Sequence, residues 1–241
     1  MRRTGTRLAY CLAALLLGCL AGGSARADII YLPGQPAPAG GVGHQPESVL
    51  SIQSPGSTSN AAGAVAYGCS QTKKGLKCGD TLSGDAKQGE HSKTLSFSQL
   101  GLTNASGLRI YMDTEDPNNS LTLNSLVLTA YGSNGQVLFQ GSLAAPIDFG
   151  NELNGQGHGD RVFALDSIQA ARLQAAFLAN PDLRLGLSAS TSGDTGSFTN
   201  FKIGSAPAAV PEPATILLLG TGLSGVAGFA RRRRKRAGAS E

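Results

Sequence analysis

A chain of 241 residues with twenty Lys or Arg against sixteen Asp or Glu has a formal charge of +4, which by itself points toward a nucleic-acid partner. The placement of the charges excludes that partner: ten of the twenty basic residues sit in residues 1–27 and 231–236, leaving ten basic against fifteen acidic residues over 28–213, a net of −5. Thirty-three Gly, no Trp and 15% charged residues exclude a helical bundle and favour a turn-rich, mainly β protein with room for one domain between its ends.

Residues 1–27 read as a secretory signal. Arg2, Arg3 and Arg7 form the basic start, Leu8 to Leu20 the apolar stretch, and Ala25-Arg26-Ala27 a small-x-small cleavage site that would leave Asp28 first. Leu16-Leu17-Gly18-Cys19 is a rival, a lipobox in which Cys19 would be acylated. Residues 28–63 carry Pro33, Pro36, Pro38, Pro46 and Pro55 among Gly and Ser, which predicts an extended segment draped over the domain with at most one strand near 48–53. The domain itself is expected over 64–204, and a short strand over Ala64–Tyr67 leads to Cys69.

Cys69 and Cys78 enclose eight residues. If the signal is removed, they are the remaining pair in an oxidising compartment, so a disulfide is the economical reading. Closing so short a loop stabilises by ~2–3 kcal/mol. A metal site would need two further ligands, and catalytic redox use lacks the two-residue spacing.

Strands are predicted over Thr94–Ser98, Leu108–Met112, Leu121–Tyr131 and Val137–Gln140, with Ser133-Asn134-Gly135 turning the last two into a hairpin. Further strands follow over Arg161–Leu165, Leu183–Ser188 and Phe198–Ile203. Between them Asp166 or Ser167 can cap a helix running to Ala179, stopped by Asn180-Pro181. Its expected buried face runs through Ile168, Ala171 or Arg172, Ala175 and Leu178, widened by Leu173, Ala176 and Phe177. Seven or eight short strands with one helix predict an antiparallel β-sandwich of jelly-roll or immunoglobulin-like type.

Chemistry-bearing residues are sparse. Asp113, Glu115 and Asp116, with Asn118 and Asn119, are a weak calcium candidate without the twelve-residue loop pattern. Gly155-Gln156-Gly157-His158-Gly159-Asp160 reads as a surface loop, since a phosphate cradle would follow a strand and open a helix. His44, His91 and His158 are scattered, and 28–213 has no Gly-x-Ser-x-Gly elbow. No catalytic residue, metal or cofactor is expected.

The C-terminal stretch is the most informative. Val210-Pro211-Glu212-Pro213 precedes an uncharged apolar run, 214–230, and the cluster Arg231, Arg232, Arg233, Arg234, Lys235 and Arg236. As a helix, the seventeen residues of the run span roughly 25 Å, just under the ~30 Å of a bilayer core, and the basic cluster would hold the C-terminus inside. Tripeptide, apolar helix and Arg cluster in this order resemble the PEP-CTERM sorting signal of Gram-negative bacteria. The resemblance implies recognition of the tripeptide by an exosortase. It also implies a precursor held in the inner membrane and export to the cell surface or matrix, with a link to exopolysaccharide. Residues 205–209 then serve as a linker. The expected function is a non-enzymatic surface or matrix protein. The alternative is a carbohydrate-binding module with Tyr111 or Tyr131 as ring platform.

Overall fold

The computed structural model describes residues 28–35, 46–56, 58–114, 121–150, 161–193 and 198–206. The signal (Ala25 and Ala27 included), the sorting motif and the apolar run 214–230 lie outside the described residues. Among the described residues no helix is long and apolar enough to cross a membrane. The strands are β1 (Ile29–Tyr31), β2 (Glu47–Gln53), β3 (Asn60–Thr72), β4 (Gly75–Gly84), β5 (Leu95–Ser96), β6 (Leu108–Thr114), β7 (Thr122–Tyr131), β8 (Val137–Ser142), β9 (Ile147–Asp148) and β10 (Arg161–Leu165). Helix α1 (Ser167–Ala179) and strands β11 (Arg184–Ser192) and β12 (Phe198–Ser205) complete the body.

Two antiparallel sheets form. One has the order β1-β10-β6-β12-β2; the other is β4-β3-β11-β7-β8, with β5 also pairing β11 and β9 also pairing β7. Alternation explains which residues face inward: Phe201 and Ile203 are fully buried on β12 while Lys202 between them is not. Along β7 the inward parity changes, because Leu123, like Leu121 just before the strand, is buried at an odd position and Leu126, Leu128 and Ala130 at even ones. A bulge where the register passes from Ser190↔Ser125 to Thr191↔Leu123 absorbs the extra residue and keeps both sets inward. Side chains from both sheets, among them Leu50, Ile110, Met112, Phe163 and Phe201 from the first and Val65, Leu128 and Leu187 from the second, share a single hydrophobic core. Each such side chain, fully removed from water, contributes about 1.5–3 kcal/mol.

The stretch 28–63 differs from the expectation of a draped segment. It supplies β1 and β2, two strands of the five-stranded sheet, and buries Ile29, Val49, Leu50 and Ile52. Pro33, Pro46 and Pro55 stand outside these strands, where they cost no ladder bond. β1 also ties the two sheets together: Asp28 N–H donates to Ser142 O at 3.2 Å, and Ile29 bridges Leu143.

Helix α1 starts where the sequence indicates, with the Asp166 carboxylate accepting from Gln169 N–H at 2.7 Å. Its buried face is only in part the expected one: Leu173, Ala176 and Phe177 pack on the core as expected. Gln169, Ala170 and Leu173 are buried and Phe177 stacks on Phe97 with ring centroids 4.3 Å apart, whereas Ile168 and Leu178 are exposed. Apolar residues lie nearly all round this helix, so spacing alone could not choose a face.

The longest hairpin, β3–β4, is also longer than its apolar pattern indicates. The two strands stay paired from Gly63↔Gly84 to Thr72↔Gly75, so the expected eight-residue loop narrows to the turn Lys73-Lys74. β3 keeps its place beside β11 only from Asn60 to Ala64. Farther along, β5 occupies that edge of β11, opposite Arg184 and Leu185. At the junction stands Gly186, where a Cβ would meet the Val65 carbonyl oxygen at 2.4 Å. The diverging hairpin is held by a side-chain network: Asp80 on β4 accepts from both the backbone N–H and the hydroxyl of buried Thr94. Arg184 donates to that hydroxyl at 2.8 Å and lies 5.2 Å from the ring of Tyr67.

Two substitutions probe this junction. Gly186→Ala must displace the β3 backbone and is expected to lower unfolding free energy by about 1–3 kcal/mol in denaturant titration; an unchanged midpoint would mean that β3 is not held against β11 there. Thr94→Val keeps the shape but removes the hydroxyl that Asp80 and Arg184 share, leaving them only the Thr94 backbone N–H and carbonyl, with an expected loss of about 1–3 kcal/mol, while Thr94→Ser, which retains the hydroxyl, stays closer to the parent.

Candidate functional site

The outer edge of β2 is sealed by the segment that follows β4. Lys87 N–H donates to Ser51 O at 2.8 Å, Lys93 N–H to Val49 O at 3.1 Å, and Ser51 N–H to the Ser92 hydroxyl at 3.1 Å. Sealing the edge satisfies backbone groups that would otherwise invite another strand. It also leaves a cleft of about 430 Å³ between the segment and the start of β12, lined by Ser51, Lys87, Gln88, His91, Phe198 and Asn200.

Phe198 and Asn200 reach the cleft because they alternate on the outward face of β12 while Thr199 and Phe201 point to the interior. Phe198 is 36% exposed, with the Lys87 ammonium 5.6 Å from its ring centroid. Asn200 accepts from the Ser51 hydroxyl at 2.6 Å through its amide oxygen, which leaves its NH₂ as a donor for a ligand. The Ser51 hydroxyl is thereby bonded to an amide and not to His91, so the lining supplies an aromatic face, amides and one ammonium but no serine activated by a base. Beside the cleft, the Lys93 ammonium, hydrogen-bonded to Glu90 at 2.8 Å, holds the Glu90 carboxyl below its ordinary value. The same bond raises Lys93. Glu90 is open to solvent, so the pair adds little to stability.

Cys69 and Cys78 form the expected disulfide, with an S–S distance of 2.01 Å. They sit directly opposite one another on β3 and β4. Asp113 pairs with Lys202 at 3.1 Å. Its fellow calcium candidates Glu115 and Asp116 lie outside the described residues, and the described ones hold no cluster of three or more metal-ligating His, Cys, Asp or Glu. Tyr111 cannot serve as a ring platform: it is fully buried and its hydroxyl donates to Ser205 O at 2.9 Å. Tyr131 is half-buried beside Gly186. His91 lines the cleft, while His44, His158 and Asp160 lie outside the described residues, as do Val210–Pro213 and Arg231–Arg236. Sequence reasoning missed Phe198 and Asn200 as site residues; their i, i+2 spacing was visible, but the segment that faces them across the cleft was not.

The chain matches no curated protein and no solved structure. Residues 209–235 match the model of the PEP-CTERM protein-sorting motif. The chain therefore carries a PEP-CTERM sorting motif that begins three residues after the last described residue, Ala206.

Proposed function

We propose that this chain is an exported, non-enzymatic surface or matrix protein whose body, a β-sandwich of jelly-roll or immunoglobulin-like type, is delivered by an N-terminal signal and sorted by an exosortase. The match at residues 209–235 carries the reading. The apolar run 214–230 holds the precursor in the inner membrane, the basic cluster keeps the C-terminus inside, and Pro211 and Pro213 hold the tripeptide extended for the enzyme. Two sheets sharing one core supply the body.

A second reading, binding of a matrix polysaccharide, is favoured by the cleft beside Phe198. A sugar ring stacks on an exposed aromatic face while neighbouring amides and hydroxyls bond its rim, and Phe198 stands with Gln88, Asn200 and His91 in that relation.

Intact mass of the protein recovered from host surface and medium tests the first reading. The expected species begins at Asp28 and ends near Pro213, and the double variant P211A/P213A accumulates in the membrane fraction with Arg231–Arg236 retained. Wild-type protein that keeps the basic cluster at the surface would refute sorting by cleavage. For the second, affinity electrophoresis in the host's own polysaccharide should detect retardation that F198A weakens about tenfold, the worth of one stacked ring; equal mobility of the two proteins would remove the cleft from consideration.

A further inference from the structure

The tip of the β3–β4 hairpin has a charge unlike the rest of the body. Ser70–Lys77 holds Lys73, Lys74 and Lys77 and no Asp or Glu, against a net of −5 over 28–213. All three lysines are exposed, and Leu76 among them is 60% exposed. Rigidity accompanies the charge. The Cys69–Cys78 bond closes the stem close to the point where Gly135 of the β7–β8 turn meets Gly68, so a Cβ on Gly135 would lie 2.9 Å from the Gly68 Cα. Beyond the disulfide each arm continues for three residues before the turn, a projection of roughly 10–13 Å.

Direction follows from topology. The strand ends between which the chain passes from one sheet to the other, Gln53 and Asn60, Thr114 and Thr122, Ser192 and Phe198, all lie at one end of the body. β3 and β12 both run away from that end, so the hairpin tip and Ala206, where the described chain leaves the body, share the other end. From Ala206 to Ala214, the start of the apolar run, the chain has eight residues and reaches at most about 28 Å.

We propose that the hairpin tip is a membrane-surface contact, in which Lys73, Lys74 and Lys77 bind the phosphates of an anionic lipid leaflet and Leu76 enters the headgroup boundary while the tail holds the chain. The inference rests on the reading of 214–230 as the membrane-held segment. A lipid surface is favoured over an anionic glycan by Leu76, because a leaflet offers hydrocarbon beneath its charges, whereas a hydrated glycan satisfies the lysines alone. Three lysines near such a surface together raise occupancy roughly a hundredfold, an attraction that salt screens.

The chain has no Trp, so L76W introduces a single reporter. Full-length L76W chain, purified from membranes with its tail, is reconstituted into vesicles of phosphatidylcholine alone or mixed with phosphatidylglycerol, each containing brominated lipid. The expected result is blue-shifted, quenched emission in the phosphatidylglycerol vesicles only, reversed by high salt and lost in the K73S/K74S/K77S background. Equal emission in both vesicle types overturns the proposal. So does an equal blue shift in neutral vesicles when a soluble polyuronate is added, which would make the tip a glycan contact. Flotation separates this inference from the reading beneath it. A chain that floats with neutral vesicles but gives no lipid-dependent emission refutes the tip and keeps the tail. A chain that floats only with phosphatidylglycerol and responds there keeps the tip and refutes the tail, and a chain that floats with neither refutes both.

Discussion

One edge of β11 serves two strands, and much of the second sheet follows from that. β3 pairs with Ser188–Ser192 and β5 with Arg184 and Leu185, so the edge changes partner within three residues. Two backbones can converge there only if the residue between them has no side chain, and Gly186, which faces the Val65 carbonyl, meets that condition. Beyond Ala64 β3 keeps only β4 as a partner, and the β3–β4 hairpin continues as a two-stranded ribbon. An isolated ribbon is marginal in water. This one is braced by the Cys69–Cys78 bond, by the β7–β8 turn against Gly68, and by the grip of Asp80 and Arg184 on Thr94.

What could be read from the sequence tracks the physical origin of each element. The β7–β8 hairpin was legible because Asn134-Gly135 supplies a positive φ of 81° at Gly135 between two apolar runs. The disulfide was legible from cysteine arithmetic, and the start of α1 from Asp166. β3 and β4 were not legible at full length because their outer halves are Ser, Gln, Thr, Lys and Gly, residues with no apolar alternation, held in a ladder by pairing and a cross-link. The buried face of α1 was hidden for the opposite reason: Ile168, Leu173, Phe177 and Leu178 surround it with apolar groups, and only docking against Phe97 selects one side. Tyr111 shows the limit of residue type as a guide to a site. A Tyr outward by parity on β6 can still be covered, and here its hydroxyl bonds to Ser205, near the end of β12.

The sorting motif was the clearest part of the candidate machinery because its three components follow one another in the chain, so no folding is needed to bring them together. The cleft is the contrary case. Phe198 and Asn200 come from β12, Ser51 from β2, and Lys87, Gln88 and His91 from the segment that seals the edge of β2. Its β12 members lie more than a hundred residues from the others, and the sealing is done largely by backbone hydrogen bonds, which residue identity encodes weakly.

Charge is distributed by the same division between address and body. The body is acidic on balance and disposes of several of its cations in local contacts: Arg184 on Thr94, Lys202 on Asp113 and Lys93 on Glu90. The lysines of the hairpin tip stand apart from that arrangement because the ribbon carries them past the sheet that supplies acidic neighbours. A hairpin that merely closed a sheet would need neither the three extra residues on each arm nor a disulfide at its base. Length, rigidity and local charge together give the ribbon a surface distinct from the rest of the body, at the end from which the chain runs on to its sorting motif.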